Sequence, residues 1–224
     1  MNVNNINAFL FDMDGVLYNS MPLHEKSWKE TFKTINVDYP TEMIYMNEGR
    51  PGRETIVEVF KDILNETPDQ NTIEELYARK TELMNEMGKA DLIAGMPEII
   101  EFLHDRSFNL CVVTGSSQKS LINYINHHYN NRFKDSFITG EDVERGKPAP
   151  EPYHKALSLM GCKASEAIVI ENAPLGVQAA KAAGIFTVAV NTGKLKNKTL
   201  SEAGADIVFD SAIQLREWLR DTFS

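Results

Sequence analysis

The sequence predicts an α/β protein: a doubly wound, Rossmann-like parallel sheet whose first strand is separated from the rest by an inserted helical cap domain. Three observations predict it. Five short apolar runs each end on polar residues, helix-period segments alternate with them, and between residues 19 and 88 the strand signal disappears while helical periodicity persists. Runs that are apolar on both faces suit a parallel sheet covered by helices on either side.

The runs are Ala8 to Phe11 before Asp12, Leu110 to Val113 before Thr114-Gly115, Ala167 to Ile170 before Glu171-Asn172, Phe186 to Val190 before Asn191, and Asp206 to Phe209 before Asp210. Open α/β sheets bind ligands at the carboxyl ends of their strands, which makes these polar residues the candidates. The intervening stretch carries three helical stripes: Trp28, Phe32 and Ile35; Ile56, Val57, Phe60, Ile63 and Leu64; Ile73, Leu76, Tyr77, Leu83, Met84 and Met87. Thr72 and Glu75 stand in capping-box spacing at the start of the third. The expected division is a core of residues 1–17 and 90–224 and a cap of residues 18–89. Hinges are expected near Leu17–Ser20 and Gly88–Ile93.

At 224 residues, 42% hydrophobic and 25% charged, the chain can bury a substantial core. A net charge of -9 argues against a nucleic-acid partner, although a few local cations can still hold a small anion. Cys111 and Cys162 lack zinc-type spacing and are expected to be reduced thiols. No apolar run is long enough to span a membrane, and the first residues do not look like a signal peptide. A cytoplasmic monomer without a membrane partner is the expectation.

Asp12-Met13-Asp14-Gly15 carries the chemistry. Two carboxylates directly after a buried strand are costly unless a metal or a partner compensates them. Asp12 can attack phosphorus and form an aspartyl-phosphate, while Asp14, expected to be raised in pKa by its neighbours, can protonate a leaving group and then activate water. Gly15 permits a tight turn. Thr114-Gly115-Ser116-Ser117 offers hydroxyls and backbone N–H groups at a helix start, where anions bind. Lys147, within Gly146-Lys147-Pro148, can neutralise a phosphoryl group. Oxygens of Glu171 and Asn172 can complete an octahedral Mg²⁺ shell with Asp12 and the Asp14 carbonyl. Gly140 to Lys147 is not a P-loop, because its glycine spacing is wrong and Pro148 stands where a hydroxyl residue belongs.

The ordered set Asp12-x-Asp14, Thr114, Lys147 and Glu171-Asn172 resembles the phosphatase branch of the haloacid dehalogenase superfamily, over nearly the whole chain. The resemblance implies Asp12 as nucleophile, Asp14 as acid and base, Thr114 and Lys147 as phosphoryl binders, and Mg²⁺ held by Asp12, Asp14 and the Glu171-Asn172 pair. It also implies a small helical cap between the first strand and the rest of the core. His24, Trp28 and Lys80 share apolar stripes and resemble cap residues of β-phosphoglucomutase-like members. The turn containing Glu48, Gly49 and Arg53 resembles their substrate-contacting loop, and Gly115 and Ser116 complete the expected binding set.

Asn172 departs from the aspartate often found at that position in the phosphotransferases. A cap carboxylate, Glu48, could restore the lost charge near the metal. That pairing resembles a branch that hydrolyses inorganic pyrophosphate. A small phosphorylated compound, first of all pyrophosphate, is therefore the expected substrate, with hexose-phosphate mutase activity as the alternative. A non-enzymatic signalling module phosphorylated on aspartate is a more remote reading, since it needs half this length and has no use for Asp14.

Overall fold

The computed structural model describes residues 2–116 and 119–224. Six strands form one parallel sheet in the order β3-β2-β1-β4-β5-β6. They are β1 (Ala8–Phe11), β2 (Asn109–Val113), β3 (Phe137–Ile138), β4 (Ala167–Glu171), β5 (Phe186–Val190) and β6 (Ile207–Phe209). Five of these follow the apolar runs. The sixth, β3, is a two-residue strand at the edge, too short to produce a periodic signal.

Side chains alternate across the strands and build a core on each face. Phe9, Phe11, Val112, Ile168 and Ile170 face Ile99 and Leu103 of α5 (Met96–Asp105) and Leu215 and Leu219 of α10 (Ala212–Thr222). Leu10, Cys111, Val113 and Val169 face Tyr153, Ala156 and Leu157 of α7 (Glu151–Met160) and Ala179 and Ala180 of α8 (Pro174–Ala182). Helix α6 (Lys119–His128) follows β2, and α9 (Asn197–Glu202) precedes β6. Both cysteines are free thiols.

Among the described residues no strand lies between β1 and β2. Isolated bridges pair Tyr18 with Asp14 and with Leu92 at the base of the insert. The insert holds α1 (Met21–Lys33), α2 (Thr41–Met46), α3 (Gly52–Val59), a wider-wound turn over Phe60–Leu64, and α4 (Gln70–Glu86). It has its own apolar cluster, including Trp28, Phe32, Tyr39, Ile44, Ile56, Ile73 and Leu76. Two expectations are corrected here. The N-cap of α4 is Asp69, whose carboxylate accepts the Thr72 N–H at 2.7 Å, so Thr72 is already inside the helix. Val57 and Ile63 are exposed rather than part of the buried stripe: Val57 lies beside the Thr55, Ile56 and Val59 face of α3, and Ile63 is turned outward where the winding widens after Val59. Among the described residues no helix is long and apolar enough to cross a membrane.

Candidate active site

The sheet order reverses between β1 and β4, and the carboxyl ends of β1 and β4 with the loop leaving β3 bring the acids and the lysine together there. Lys147 arrives from the loop before α7 and is 1% exposed. Its Nζ donates to Asp12 Oδ1 at 2.5 Å, Glu171 Oε1 at 2.7 Å and the Val113 carbonyl at 3.1 Å. All three ammonium protons therefore have an acceptor. Burial alone would strip Lys147 of its proton, but Asp12 and Glu171 outweigh it and hold the pKa well above the lysine range. Burial pushes Asp12 up; Lys147 opposes this, while the charges of Glu171 and Asp14 add to it.

Asp14 is reached from the insert. Ser20 Oγ donates to its Oδ1 at 2.5 Å, and His24 Nε2 lies 3.3 Å from the same oxygen. His24 Nδ1 in turn lies 3.2 Å from Lys80 Nζ. A neutral His24 carrying its proton on Nε2 satisfies both neighbours. Burial would raise Asp14, yet His24, Ser20 and Lys80 together hold it at about 2, which corrects the raised value expected from the sequence, since these partners stabilise its charged form. Lys80 is drawn down to about 8 by burial, against the pull of Asp14. His24 is lowered by burial and then by Lys80, with Asp14 opposing. Trp28 closes this side, its ring centroid 5.5 Å from Lys80 Nζ.

Glu48 comes from the turn after α2 and is buried against the core. Its Oε1 accepts from Asn172 Nδ2 at 2.7 Å. Burial raises Glu48 well above the carboxylate range, with Asn172 opposing and Asp12, Glu171 and Asp14 adding to the rise. Gly15 makes room for this contact. Its φ is +76°, and a Cβ there would lie 2.0 Å from Asn172 Nδ2 and 2.9 Å from Glu48 Oε1. Gly49, next in the turn, lies over Lys147, where a Cβ would stand 3.3 Å from the lysine Cδ.

Thr114 is buried at the end of β2, and its Oγ1 accepts from the Ser116 N–H at 3.1 Å. Gly115 and Ser116 line a cavity of about 380 Å³ together with Asp12, Asp14, His24 and Lys80. Its apolar wall includes Trp28, Tyr77 and Met84. Ser117 lies outside the described residues.

Two expected site residues stand elsewhere. Arg53 points away: its guanidinium holds Glu74 through two hydrogen bonds of 2.7 Å and lies over the Tyr77 ring on the outer surface. Arg50 lines the cavity instead, its Nε donating to Asn47 Oδ1 at 2.9 Å and its Nη1 lying 3.5 Å from Glu58. Both arginines occur in one turn, and nothing in the sequence says which faces inward. Glu171 was expected to ligate a metal, but both its oxygens are engaged. Oε1 accepts from Lys147 and from Tyr153 Oη at 2.9 Å, and Oε2 accepts from the N–H groups of Asn172 and Ala173. Tyr153 carried no signal in the sequence beyond its place in an apolar helix stripe.

The remaining donors fit a hard, oxygen-preferring cation. Asn172 Oδ1 is buried with no hydrogen-bond partner among the described residues, while its Nδ2 holds the Glu48 carboxyl, which is close enough to Asp12 to feel its charge. A buried amide oxygen without a donor is costly unless something else occupies it. Oxygen donors of this kind suit Mg²⁺.

A parallel sheet that gathers paired aspartates and a buried lysine at its switch point, under a helical insert, defines a class: capped α/β enzymes of phosphoryl transfer. The chain belongs to the haloacid dehalogenase-like hydrolases, whose family model matches residues 9–190. It is 31% identical over 208 residues to validoxylamine A 7'-phosphate phosphatase of Streptomyces hygroscopicus subsp. limoneus, covering 92% of this chain and 94% of that protein. It is 30% identical over 190 residues to pyrophosphatase PpaX of Halalkalibacterium halodurans, covering 83% of each. A solved structure named "Putative beta-phosphoglucomutase from Bacteroides vulgatus" superimposes with a TM-score of 0.88 at 40% identity, covering 97% of this chain and 88% of that one. The chain is thus a phosphatase of the β-phosphoglucomutase-like branch, and phosphatases of this superfamily generally use Mg²⁺.

Proposed function

We propose that this enzyme is a Mg²⁺-dependent inorganic pyrophosphatase that works through an aspartyl-phosphate on Asp12. The observation that carries the reading is the 2.7 Å hydrogen bond between Glu48 and Asn172. It sets a carboxylate of the helical insert, residues 18–89, beside the neutral amide of the core. A bound cation would hold the Glu48 carboxyl ionised, so that the cap would supply the negative charge missing at Asn172.

Asp12, Glu48 and the Asn172 amide oxygen would hold Mg²⁺, with the Asp14 carbonyl. The ion, when bound, neutralises charge on the phosphoryl oxygens. Lys147 and the Thr114–Ser116 turn bind the transferring phosphoryl group. An Asp12 carboxylate oxygen attacks phosphorus; a P–O bond forms and the bridging P–O bond breaks, releasing phosphate. Asp14, held as a carboxylate by its neighbours, then takes a proton from water as that water attacks the aspartyl-phosphate and frees Asp12. A phosphate leaving group is a stable anion and asks less of a proton donor than an alkoxide does. Lys80 and Arg50 hold the leaving phosphate. The cap excludes water from the first step when closed.

One observation favours a second reading. A cavity of about 380 Å³ with Trp28, Tyr77 and Met84 on its wall lies in the range that holds organic ligands, which suits a hexose phosphate and a mutase reaction. The test is a side-by-side assay with Mg²⁺. Conversion of β-glucose 1-phosphate to glucose 6-phosphate far faster than cleavage of pyrophosphate would overturn the pyrophosphatase reading.

A further inference from the structure

Tyr153 is fully buried on α7 in the apolar cluster beneath the sheet, among Leu10, Cys111, Val113 and Val169. A phenylalanine would meet the demands of packing there. The phenol instead donates its proton to Glu171 Oε1 at 2.9 Å, the oxygen that also accepts from Lys147 at 2.7 Å. The other oxygen of Glu171 accepts from the Asn172 and Ala173 N–H groups at 2.9 and 3.1 Å. The first turn of α8 closes over this carboxylate so tightly that a Cβ on Gly176 would lie 1.7 Å from Oε1. Glu171 is thus held by four donors and has no freedom to follow Lys147 if that lysine moves.

Lys147 has no spare proton. Its three donors are spent on Asp12, Glu171 and the Val113 carbonyl. To contact a phosphoryl oxygen it must release one of them. Releasing Val113 would leave a buried strand-end carbonyl without this donor. Releasing Glu171 leaves a carboxylate that still has the Tyr153 hydroxyl and two backbone N–H groups. Releasing Asp12 would leave that buried carboxylate with no other hydrogen-bond donor among the described residues, so Glu171, which keeps three, is the acceptor that Lys147 can leave at least cost.

We propose that Tyr153 is a positioning residue for phosphoryl transfer: its hydroxyl anchors Glu171 Oε1 while Lys147 turns one N–H from Glu171 to the transferring phosphoryl group. This rests on the reading of Asp12 as nucleophile and Lys147 as phosphoryl binder, whatever the leaving group.

The test is steady-state kinetics of Tyr153→Phe, Glu171→Gln and the double variant. p-Nitrophenyl phosphate with Mg²⁺ serves as substrate, so that the result does not depend on pyrophosphate, and melting temperatures are measured in parallel. Tyr153→Phe should lower kcat about tenfold, the value of one hydrogen bond to a charged group, with KM unchanged and a modest fall in melting temperature from the lost buried hydrogen bond. In the Glu171→Gln background the same substitution should lower kcat no further, because the oxygen it anchors no longer carries charge. Wild-type kcat in Tyr153→Phe, a loss that appears only as a lower melting temperature, or losses that simply multiply in the double variant would each overturn the proposal. Full turnover by Asp12→Asn would instead overturn the underlying reading, and the proposal with it.

Discussion

Glu48 Oε1 and Asn172 Nδ2 meet at 2.7 Å although 124 residues separate them in the chain. The contact joins the helical insert to the core at the point where the sheet order reverses. It orients the amide, leaving Asn172 Oδ1 buried with no hydrogen-bond partner among the described residues. The proposed metal site, substrate choice and cap closure all depend on this one contact.

The nucleophile is tested first. Asp12→Asn should lower kcat by several orders of magnitude with the fold intact, since no other group replaces the attacking carboxylate. Asp14→Asn should cost roughly 10²–10⁴-fold in kcat. Phosphate release measured on purified, folded variants checks both, and near-native turnover by Asp12→Asn would remove Asp12 from the mechanism.

Metal dependence follows from the donor set. EDTA should abolish activity and Mg²⁺ restore it, with Ca²⁺ a poor substitute because it is larger and accepts looser geometry. Asn172→Ala and Glu48→Ala should each raise the Mg²⁺ concentration needed for half-maximal rate. An unchanged Mg²⁺ titration in Glu48→Ala would refute the charge-compensation argument even if pyrophosphate is the substrate.

Lys147→Met should destabilise the protein by roughly 3–5 kcal/mol, because it leaves acids buried beside one another without their counter-charge. Asp12, whose folded pKa burial already raises, would lose the opposing pull of Lys147 and rise further above its unfolded value. Such a group binds more protons folded than unfolded, so stability falls as pH rises above the unfolded carboxylate range. Denaturant unfolding at pH 5 and pH 8 should show the larger loss at pH 8.

Lys80 titrates near working conditions. With its pKa drawn down to about 8, it loses its charge as pH rises through that value, and an anionic substrate then binds less well. The profile of kcat/KM for pyrophosphate, which reports the free enzyme, should fall on that limb. Lys80→Arg keeps its charge throughout and should lose the limb. A limb that persists in this variant would assign it to another group.

The two arginines of the cap turn should separate cleanly. Arg50→Ala should raise KM several-fold, since Arg50 lines the cavity. Arg53→Ala should leave kcat and KM unchanged, because its fork is committed to Glu74 at the surface. Initial-rate kinetics over a range of pyrophosphate concentrations decides it.

The sequence alone determined much of the core. Its strand cores are short, apolar on both faces and end on polar residues, a property local to each segment, so five of the six strands and the acids after β1 and β4 were legible. The helical insert was legible for the same reason, from period and length. What escaped was of two kinds. Some signals were too short or had a nearby competitor: β3 has two residues, and Asp69 rather than Thr72 caps α4. The others were decided by tertiary packing. Whether Arg50 or Arg53 faces the cavity depends on how α3 docks against α4. Glu171 was expected at a metal and is committed to Lys147, because Lys147 and Tyr153 reach one of its oxygens only in the tertiary structure, while the N–H groups of the next two residues hold the other locally. The meeting of Glu48 with Asn172 exists only when the insert lies against the core, since hydrogen bonds between distant segments are set by the packing that brings their elements together and leave no periodic trace in the chain.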